Sequence, residues 1–300
     1  MLPISIVIPT WNAANEIEAC LKAAKRQECS ETIVVDNASS DDTLAIVQRA
    51  SSHAVIVANA ANYGFAGACN QGFAVAHGKA VLFLNSDARL DDDYARHLWN
   101  KLERDERAAS AVGKLVYRDG DNKRLDGAGI VLNRLRLSPE DRGLGEIDVG
   151  QYDSDELIFG PSGAAALYRC EALRDVSTPG QTPFDEAMFA YYEDVDLAWR
   201  LNRRGWRHWY VPSATGEHER RGPMNKPATT RARAFVNRYL VWAKNESLVR
   251  WASYAPLAVA WELGRLSRIG VRNPSELRLY ARAAFELIQR KLKPSSHNIR

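Results

Sequence analysis

The chain has 300 residues, 46% hydrophobic and 26% charged, a balance that excludes a disordered protein and fits a folded globular one. That length supports one large domain, or one domain with a small appendage. A net charge of +3 and the lack of any aromatic-plus-basic RNA-binding module give no case for a nucleic-acid partner.

No apolar run reaches bilayer-spanning length; the nearest, residues 251–263, is short and carries Glu262. The N-terminus enters a strand-like run at once, with no basic lead and no small-residue cleavage site. Cys20, Cys29, Cys69 and Cys170 form no C-x-x-C pair and no metal-ligand spacing, so they are expected to be reduced thiols in a cytoplasmic protein.

In chain order, residues 4–8 are a buried strand stopped by Pro9. A helix follows, with Asn15 and Glu18 spaced as a capping box and Ile17, Leu21 and Ala24 on one face. Residues 33–35 form a second strand, and Ser39-Ser40-Asp41-Asp42 opens a helix with Leu44 and Val47 inward. A third strand at 55–57 leads through a glycine-containing loop to a short helix that includes Phe73 and Val75. Residues 81–84 are a fourth strand, 91–106 a helix and 111–117 a fifth strand. Short apolar strands alternating with amphipathic helices predict an α/β fold, a mostly parallel sheet covered by helices on both faces. Ligands of such sheets bind at the carboxyl ends of the strands. Those ends carry Thr10-Trp11-Asn12, Asp36-Asn37, Asn62-Tyr63-Gly64 and Asn85-Ser86-Asp87.

Residues 118–156 are polar and weakly periodic, and too long for a bare connection, so hairpin or loop structure is expected there. Gly160-Pro161-Ser162-Gly163-Ala164-Ala165 is a small-residue approach that lets backbone come close to a ligand or another strand. Tyr191-Tyr192-Glu193-Asp194 begins a helix that packs Leu197, Leu201 and Trp199 inward and ends at Arg203-Arg204-Gly205. Residues 206–211 read as a strand, followed by a loop holding Glu217-His218-Glu219. From Ala228 the pattern is helical, with Phe235, Tyr239 and Trp242 at helix spacing. Beyond Arg265 the basic residues Arg268, Arg272, Arg278, Arg282, Arg290, Lys291 and Lys293 outnumber Glu276 and Glu286, and Pro294 ends that segment.

Each polar cluster admits a chemical and a plain structural role. Asp36 either accepts from a base N–H or a ribose hydroxyl or caps the helix after it, a task also open to Asp41 and Asp42. Asp87 is a turn residue or a ligand for Mg²⁺ or Mn²⁺, hard ions that prefer oxygen and bridge phosphates. Glu193 and Asp194 at a helix N-terminus are stabilised by its dipole, or serve as a general base toward an acceptor hydroxyl. His218 is a structural histidine or a metal ligand.

Taken in order, these segments resemble the family-2 inverting glycosyltransferases of the GT-A fold, most closely the rhamnosyltransferase-like branch. The resemblance rests on Ser5-Ile6-Val7-Ile8-Pro9-Thr10-Trp11-Asn12, Val34-Val35-Asp36-Asn37-Ala38-Ser39-Ser40-Asp41-Asp42-Thr43, Asn62-Tyr63-Gly64-Phe65-Ala66-Gly67-Ala68-Cys69-Asn70-Gln71-Gly72 and Leu82-Phe83-Leu84-Asn85-Ser86-Asp87. It continues through Gly160-Pro161-Ser162-Gly163-Ala164-Ala165, Phe184-Asp185-Glu186 and Tyr192-Glu193-Asp194-Val195-Asp196-Leu197.

The resemblance implies a GT-A transferase domain over residues 1–245 and a C-terminal helical extension over 246–300. It implies Asp36 at the base, with Thr10 and Asn12 lining the nucleotide pocket. Asn62, Gly64, Phe65 and Asn70 would border nucleotide and diphosphate, and Asn85, Ser86, Ser162 and Gly163 join the nucleotide-sugar site. Asp87 would hold a divalent metal with His218 as second protein ligand. Asp194 would be the base, with Glu193 orienting it or binding acceptor. Many GT-A enzymes carry two acids in the metal motif; here Asn85 takes the first place. The donor implied is dTDP-L-rhamnose or a UDP-sugar, and the acceptor a hydroxyl of a polysaccharide or lipid-linked saccharide in cell-surface glycan synthesis.

The extension mixes aromatic and basic residues, which fits peripheral docking on the inner face of the cytoplasmic membrane; packing on the domain or on a second copy as a homodimer is the alternative. Three rival functions have distinguishable marks. A nucleotidyltransferase would want a Gly-rich basic loop where Pro9-Thr10-Trp11-Asn12 stands, and a nicotinamide enzyme a G-x-G-x-x-G after the first strand, which is absent. An inactive sugar-nucleotide-binding or scaffold protein on the same fold would have no use for Asp87, Asp194 and His218 together. Everything rests on Asp36, Asp87, Asp194 and His218 converging on one cleft.

Overall fold

The computed structural model describes residues 1–133, 138–177, 182–219 and 228–292. Lys293 and Pro294, read above as the end of the basic segment, lie outside them, as do the side chains of Arg272, Arg290 and Lys291.

The first half alternates β1 (Leu2–Thr10), α1 (Ile17–Arg26), β2 (Cys29–Asp36), α2 (Thr43–Ala50), β3 (Val55–Ala58), α3 (Gly64–Ala74) and β4 (Ala80–Leu84). Strands β3, β2, β1 and β4 lie side by side in that order, all parallel. Their apolar runs are buried on both faces, and the two-residue period sorts them. Ile4, Ile6, Ile8, Leu82 and Leu84 join one core with α1 and α4 (Tyr94–Arg104), while Val7, Val81 and Phe83 join the other with α3 and α5 (Cys170–Asp175).

Past β4 the sheet becomes mixed. β11 (Ala165–Arg169) runs antiparallel between β4 and β6 (Ala108–Asp119). β12 (Arg207–His218) is parallel to β6 and carries β10 (Glu156–Ile158) on its far side. Two short strands sit off this path: β5 (Ala88–Leu90) pairs with β12, and β7 (Asn122–Gly127) with β6. β8 (Ile130–Asn133) and β9 (Ser138–Asp141) form a separate hairpin, so the polar excursion after residue 118 is hairpin-built as expected.

Two local expectations are corrected. The Asn15–Glu18 capping box is not made: Glu16 occupies the cap of α1 without a side-chain bond, and Glu18 pairs with Lys22 one turn on, at 2.7 Å. His218 is not in a loop but closes β12, because Ala88 of β5 is there to pair with it. An unpaired strand end would have released those backbone groups to solvent, whereas a partner on each side keeps the ladder going.

The remaining elements are α6 (Glu193–Arg203) and three C-terminal helices, α7 (Ala228–Asn245), α8 (Leu248–Arg272) and α9 (Pro274–Leu292). The boundary drawn between 245 and 246 falls between α7 and α8. Across it, Tyr254 and Ala258 of α8 share a core with Trp199 of α6 and Trp242 of α7. The Trp199 and Trp242 rings meet edge to face at 5.0 Å, a favoured aromatic geometry. Among the described residues no helix is long and apolar enough to cross a membrane.

Candidate active site

The carboxyl edge of the parallel strands is built by short polar side chains that close turns. Asp36, buried at the end of β2, accepts from the Ser39 amide at 3.0 Å and the Ser39 hydroxyl at 2.5 Å. That turn meets the one after β1: Asn12, in left-handed backbone with φ 51°, accepts from the Ser40 amide at 2.8 Å. Thr10 is buried, and its hydroxyl has no hydrogen-bond partner. The Asn62 side chain accepts from the Gly64 amide at 2.8 Å and starts α3. Gly64 must be glycine, since its φ is +78° and a Cβ would lie 2.3 Å from the Phe189 carbonyl oxygen. Asn70, buried in α3, accepts from the Phe184 amide at 3.0 Å and donates to the Phe184 carbonyl at 2.9 Å.

Two adjoining cavities open at this edge. One, of about 700 Å³, is lined by Asp87, Asp126, Asp141, Gly163, Asp194 and His218, among others. The other, of about 990 Å³, is lined by Trp11, Asn12, Ser86, Arg89, Arg118 and Glu217, among others. Phe65, Asn85, Asp87, Tyr191 and His218 line both, so these five form the waist between them. Of the residues singled out in the sequence, Ser162, Gly163, Glu193 and Asp194 belong to the first cavity and Asn12 and Ser86 to the second. Asp87, Asp194 and His218 thus share one cavity across more than a hundred residues of chain. Asp36, Thr10, Asn62, Gly64 and Asn70 line neither; their side chains or backbone build the turns behind the walls.

At the waist, His218 Nε2 lies 3.1 Å from Asp87 Oδ1, and its Nδ1 lies 2.8 Å from Asp126 Oδ2. Asn85 Nδ2 stands 3.3 Å from the same Nε2. Burial alone would lower the His218 pKa, but the two carboxylates outweigh it and push it up to about 9. The donor set fits a divalent ion. The Asp87 carboxylate oxygen and the His218 ring nitrogen stand side by side at the waist and would be the two atoms to hold it. The Asp126 carboxylate behind Nδ1 orients the ring as outer partners of metal-bound histidines do. Among the described residues no group of three or more His, Cys, Asp and Glu is placed to hold a metal ion, so Asp87 and His218 would supply two protein ligands.

The acidic pair sits on a strained turn. Phe189, Tyr191 and Tyr192 all have positive φ, between 63° and 74°, and Tyr192 caps α6 in that conformation. The strain, of order 1–3 kcal/mol per residue, is held from α7: the side-chain amide of the buried Asn237 faces the carbonyls of Met188, Ala190 and Tyr191 at 2.8, 3.1 and 2.9 Å. The turn aims Asp194 into the first cavity, where its carboxylate accepts from the Gly163 amide at 3.0 Å and the Val195 amide at 2.8 Å. Burial pushes the Asp194 pKa up, and the carboxylate of Asp141 adds to the rise. Glu193 is buried, one of its oxygens has no hydrogen-bond partner, and burial together with the Asp194 charge raises its pKa as well. Further along α6, the fully buried Asp196 binds Arg200, Asn245 and Lys244 at 2.9, 2.8 and 2.8 Å.

The sequence reading passed over Asp126, Asp141 and Asn237. The first two lie in the weakly periodic stretch after β6, where only strand pairing reveals which way a side chain faces. Asn237 reads as an ordinary polar residue in a helix, and nothing in its neighbours marks the three carbonyls it meets.

A model of the family described as Glycosyl transferase family 2 matches residues 5–177, more than half of the chain. Poly-beta-1,6-N-acetyl-D-glucosamine synthase of Staphylococcus aureus is 25% identical over 215 residues, 70% of this chain and 48% of that protein. The chain therefore spans about half the length of the curated relatives it matches. Among solved structures, the mannosyltransferase PcManGT from Pyrobaculum calidifontis, in complex with GDP-Man and Mn²⁺, superposes with a TM-score of 0.57 at 17% identity, covering 97% of this chain and 86% of that one. TarS 1-349 of S. aureus in complex with UDP superposes with a TM-score of 0.56 at 15% identity, covering 97% and 81%. At these identities the structures speak to the fold alone, and it is the GT-A fold. The family match stops short of α6 and β12, yet it covers the strand ends and turns that form the cleft up to Asp87. This chain belongs to glycosyl transferase family 2.

Proposed function

We propose that the chain transfers a sugar from a nucleoside diphosphate to an acceptor hydroxyl with inversion at the anomeric carbon. The observation that carries this reading is the waist: Asp87 and His218 border both cavities, with Asp194 in one and Asn12 in the other. The second cavity takes the nucleotide, with Trp11 offering a flat wall and Arg89 and Arg118 standing near the diphosphate. The first takes the sugar and the acceptor. Asp87 and His218 would hold a divalent ion, Mg²⁺ or Mn²⁺, which when bound offsets the charge of the diphosphate.

Asp194 acts as general base. Its carboxylate takes the proton of the acceptor hydroxyl as that oxygen bonds to the anomeric carbon, and the bond from that carbon to the diphosphate breaks, its electron pair leaving with the nucleotide. The Gly163 and Val195 amides orient the carboxylate, and its raised pKa makes it a stronger base than an exposed aspartate. Glu193 orients Asp194 or binds the acceptor. Asp36, Thr10, Asn62, Gly64, Phe65 and Asn70 shape the nucleotide side.

The donor is proposed to be dTDP-L-rhamnose or a UDP-hexose. The acceptor is proposed to be a polysaccharide or a lipid-linked saccharide, met on the cytoplasmic side of the membrane. The relatives' names support a role in glycan assembly. Thermal-shift and turnover assays across dTDP-, UDP- and GDP-sugars with Mg²⁺ test the proposal. One donor class should raise Tm and be consumed with an acceptor. No stabilisation by any nucleotide-sugar would overturn the reading.

A further inference from the structure

One face of α7 joins the wall of the first cavity to the turn that carries the acids. At 3.6 residues per turn, Thr230, Ala234, Asn237, Val241 and Asn245 fall in a single stripe. Thr230 and Ala234, at its start, line the first cavity. Asn237, next along, holds the carbonyls of Met188, Ala190 and Tyr191. Val241 shares a core with Trp199 of α6, and Asn245 donates to the buried Asp196 of the same helix at 2.8 Å. These anchors fix the register of α7 against α6, and so the place of Thr230 and Ala234 relative to Asp194, which lines the same cavity. Side chains on a helix secured in this way keep their positions better than side chains on a loop. Of the two cavities α7 borders only the first: none of its described residues lines the second, where the nucleotide is placed.

We propose that Thr230 and Ala234 form the wall against which the acceptor rests, and that its reacting unit is a pyranose ring. Their role rests on the transfer reading above, since that reading puts the acceptor in the first cavity. A sugar ring presents C–H groups on its faces and hydroxyls at its edge. The lining offers a partner for each. The methyl of Ala234, with Ile130 of β8 and Pro139 of β9, meets the C–H groups; the Thr230 hydroxyl meets a ring hydroxyl; and Asp194 takes the hydroxyl that reacts. At about 700 Å³ the cavity is of the size that encloses a drug-sized ligand, so it takes a second ring beside the sugar of the donor. Ala234 then limits the size of that ring, because a longer side chain at 234 extends into the space the ring needs.

The full chain is mixed with UDP or dTDP, Mg²⁺ and, one at a time, the methyl pyranosides of glucose, mannose, N-acetylglucosamine and rhamnose. Saturation-transfer NMR then reads binding without turnover. At least one pyranoside should bind the wild type, with the strongest saturation on its ring C–H protons. Ala234→Leu puts a strong helix former in place of alanine. It should weaken that binding at least about tenfold and leave the calorimetric affinity for the nucleotide unchanged. Thr230→Val keeps the shape, removes the hydroxyl and should weaken binding about threefold or more. Thr229→Leu, next to the wall but exposed, should change neither quantity. If circular dichroism shows Ala234→Leu misfolded, Ala234→Val replaces it. Absence of wild-type binding to every pyranoside overturns the proposal, as does undiminished binding by the variants at 234 or an equal loss of nucleotide affinity in them. A wild type that binds a pyranoside at this wall and transfers no sugar to it would uphold the site and sink the transfer reading instead.

Discussion

The Asn237 side-chain amide meets the Tyr191 carbonyl oxygen at 2.9 Å, so a residue of α7 fixes the backbone two positions ahead of Glu193. The same amide serves the Met188 and Ala190 carbonyls. Replacing Asn237 by alanine should deprive those carbonyls of this donor, cost about 1–3 kcal/mol of stability, and free the turn to leave its positive-φ conformation. The expected outcome is a lower melting temperature and a fall in kcat larger than any rise in donor KM. Unchanged kcat in a folded variant would remove Asn237 as a positioning residue.

Asp194→Asn should abolish transfer, a loss of at least about 100-fold, and leave nucleotide affinity nearly as it was, because the side chain lines the cavity away from Asn12. Steady-state turnover and calorimetric donor binding read the two effects separately. Ordinary turnover in this variant removes Asp194 as the base.

The pH dependence follows from the direction of two shifts. Both Asp194 and Glu193 are raised above the usual carboxylate range, burial being the first cause of each. Transfer requires Asp194 ionised, so the acid limb of kcat/KM should lie above the pH at which an exposed aspartate titrates. Stability has the opposite sign. A carboxyl whose native pKa is raised holds its proton better folded than unfolded, so its contribution is complete at low pH and is lost as pH rises through the native value. Glu193→Gln should flatten that alkaline loss in urea-unfolding free energies measured against pH. A wild-type stability that climbs as pH rises from the ordinary carboxylate range would contradict the shift.

Removal of divalent ions by EDTA should stop transfer, and Mg²⁺ or Mn²⁺ should restore it. Asp126→Asn keeps the size of the residue behind His218 and removes its charge, and should weaken metal affinity by about 10–100-fold. Titration of Mn²⁺ followed by electron paramagnetic resonance checks this without relying on activity. Full turnover in chelator would dismiss the ion.

Gly64→Ala should destabilise the fold by about 1–3 kcal/mol. The backbone there is left-handed, and a Cβ meets the Phe189 carbonyl and ring at 2.3 and 2.6 Å. Chemical denaturation measures it directly, and a neutral change would mean that the Phe189 turn moves aside without cost.

The parallel half of the sheet was legible because its strands are continuous apolar runs between amphipathic helices, and local periodicity reports that directly. The carboxyl-edge clusters were legible for a related reason: polar residues at four successive strand ends share one side of any such sheet. Asp87, Asp194 and His218 could be named, and they do line one cavity. Sequence position did not separate wall from scaffold. Asp36 and Asn70 look as functional as Asp87 in the chain, but their side-chain bonds run to Ser39 and Phe184. Asp126 was invisible because its role arises from β7 pairing with β6 and so reaching His218 across 92 positions. The Asn15–Glu18 spacing was a correct motif with the wrong outcome, since Lys22 offered Glu18 a partner one turn away.

The order of strands also sets when the molecule can be finished during synthesis. β6 is made before its neighbours: β7 and β11 follow and pair with one of its edges, but β12, which pairs with the other, ends only at His218. Until residue 218 has been made, that second edge of β6 lacks its full partner strand. Its partner must be brought in from far downstream, the kind of non-local pairing that slows folding and invites aggregation. Nascent chains halted before His218 should depend on chaperones for solubility, and chains released beyond it should not.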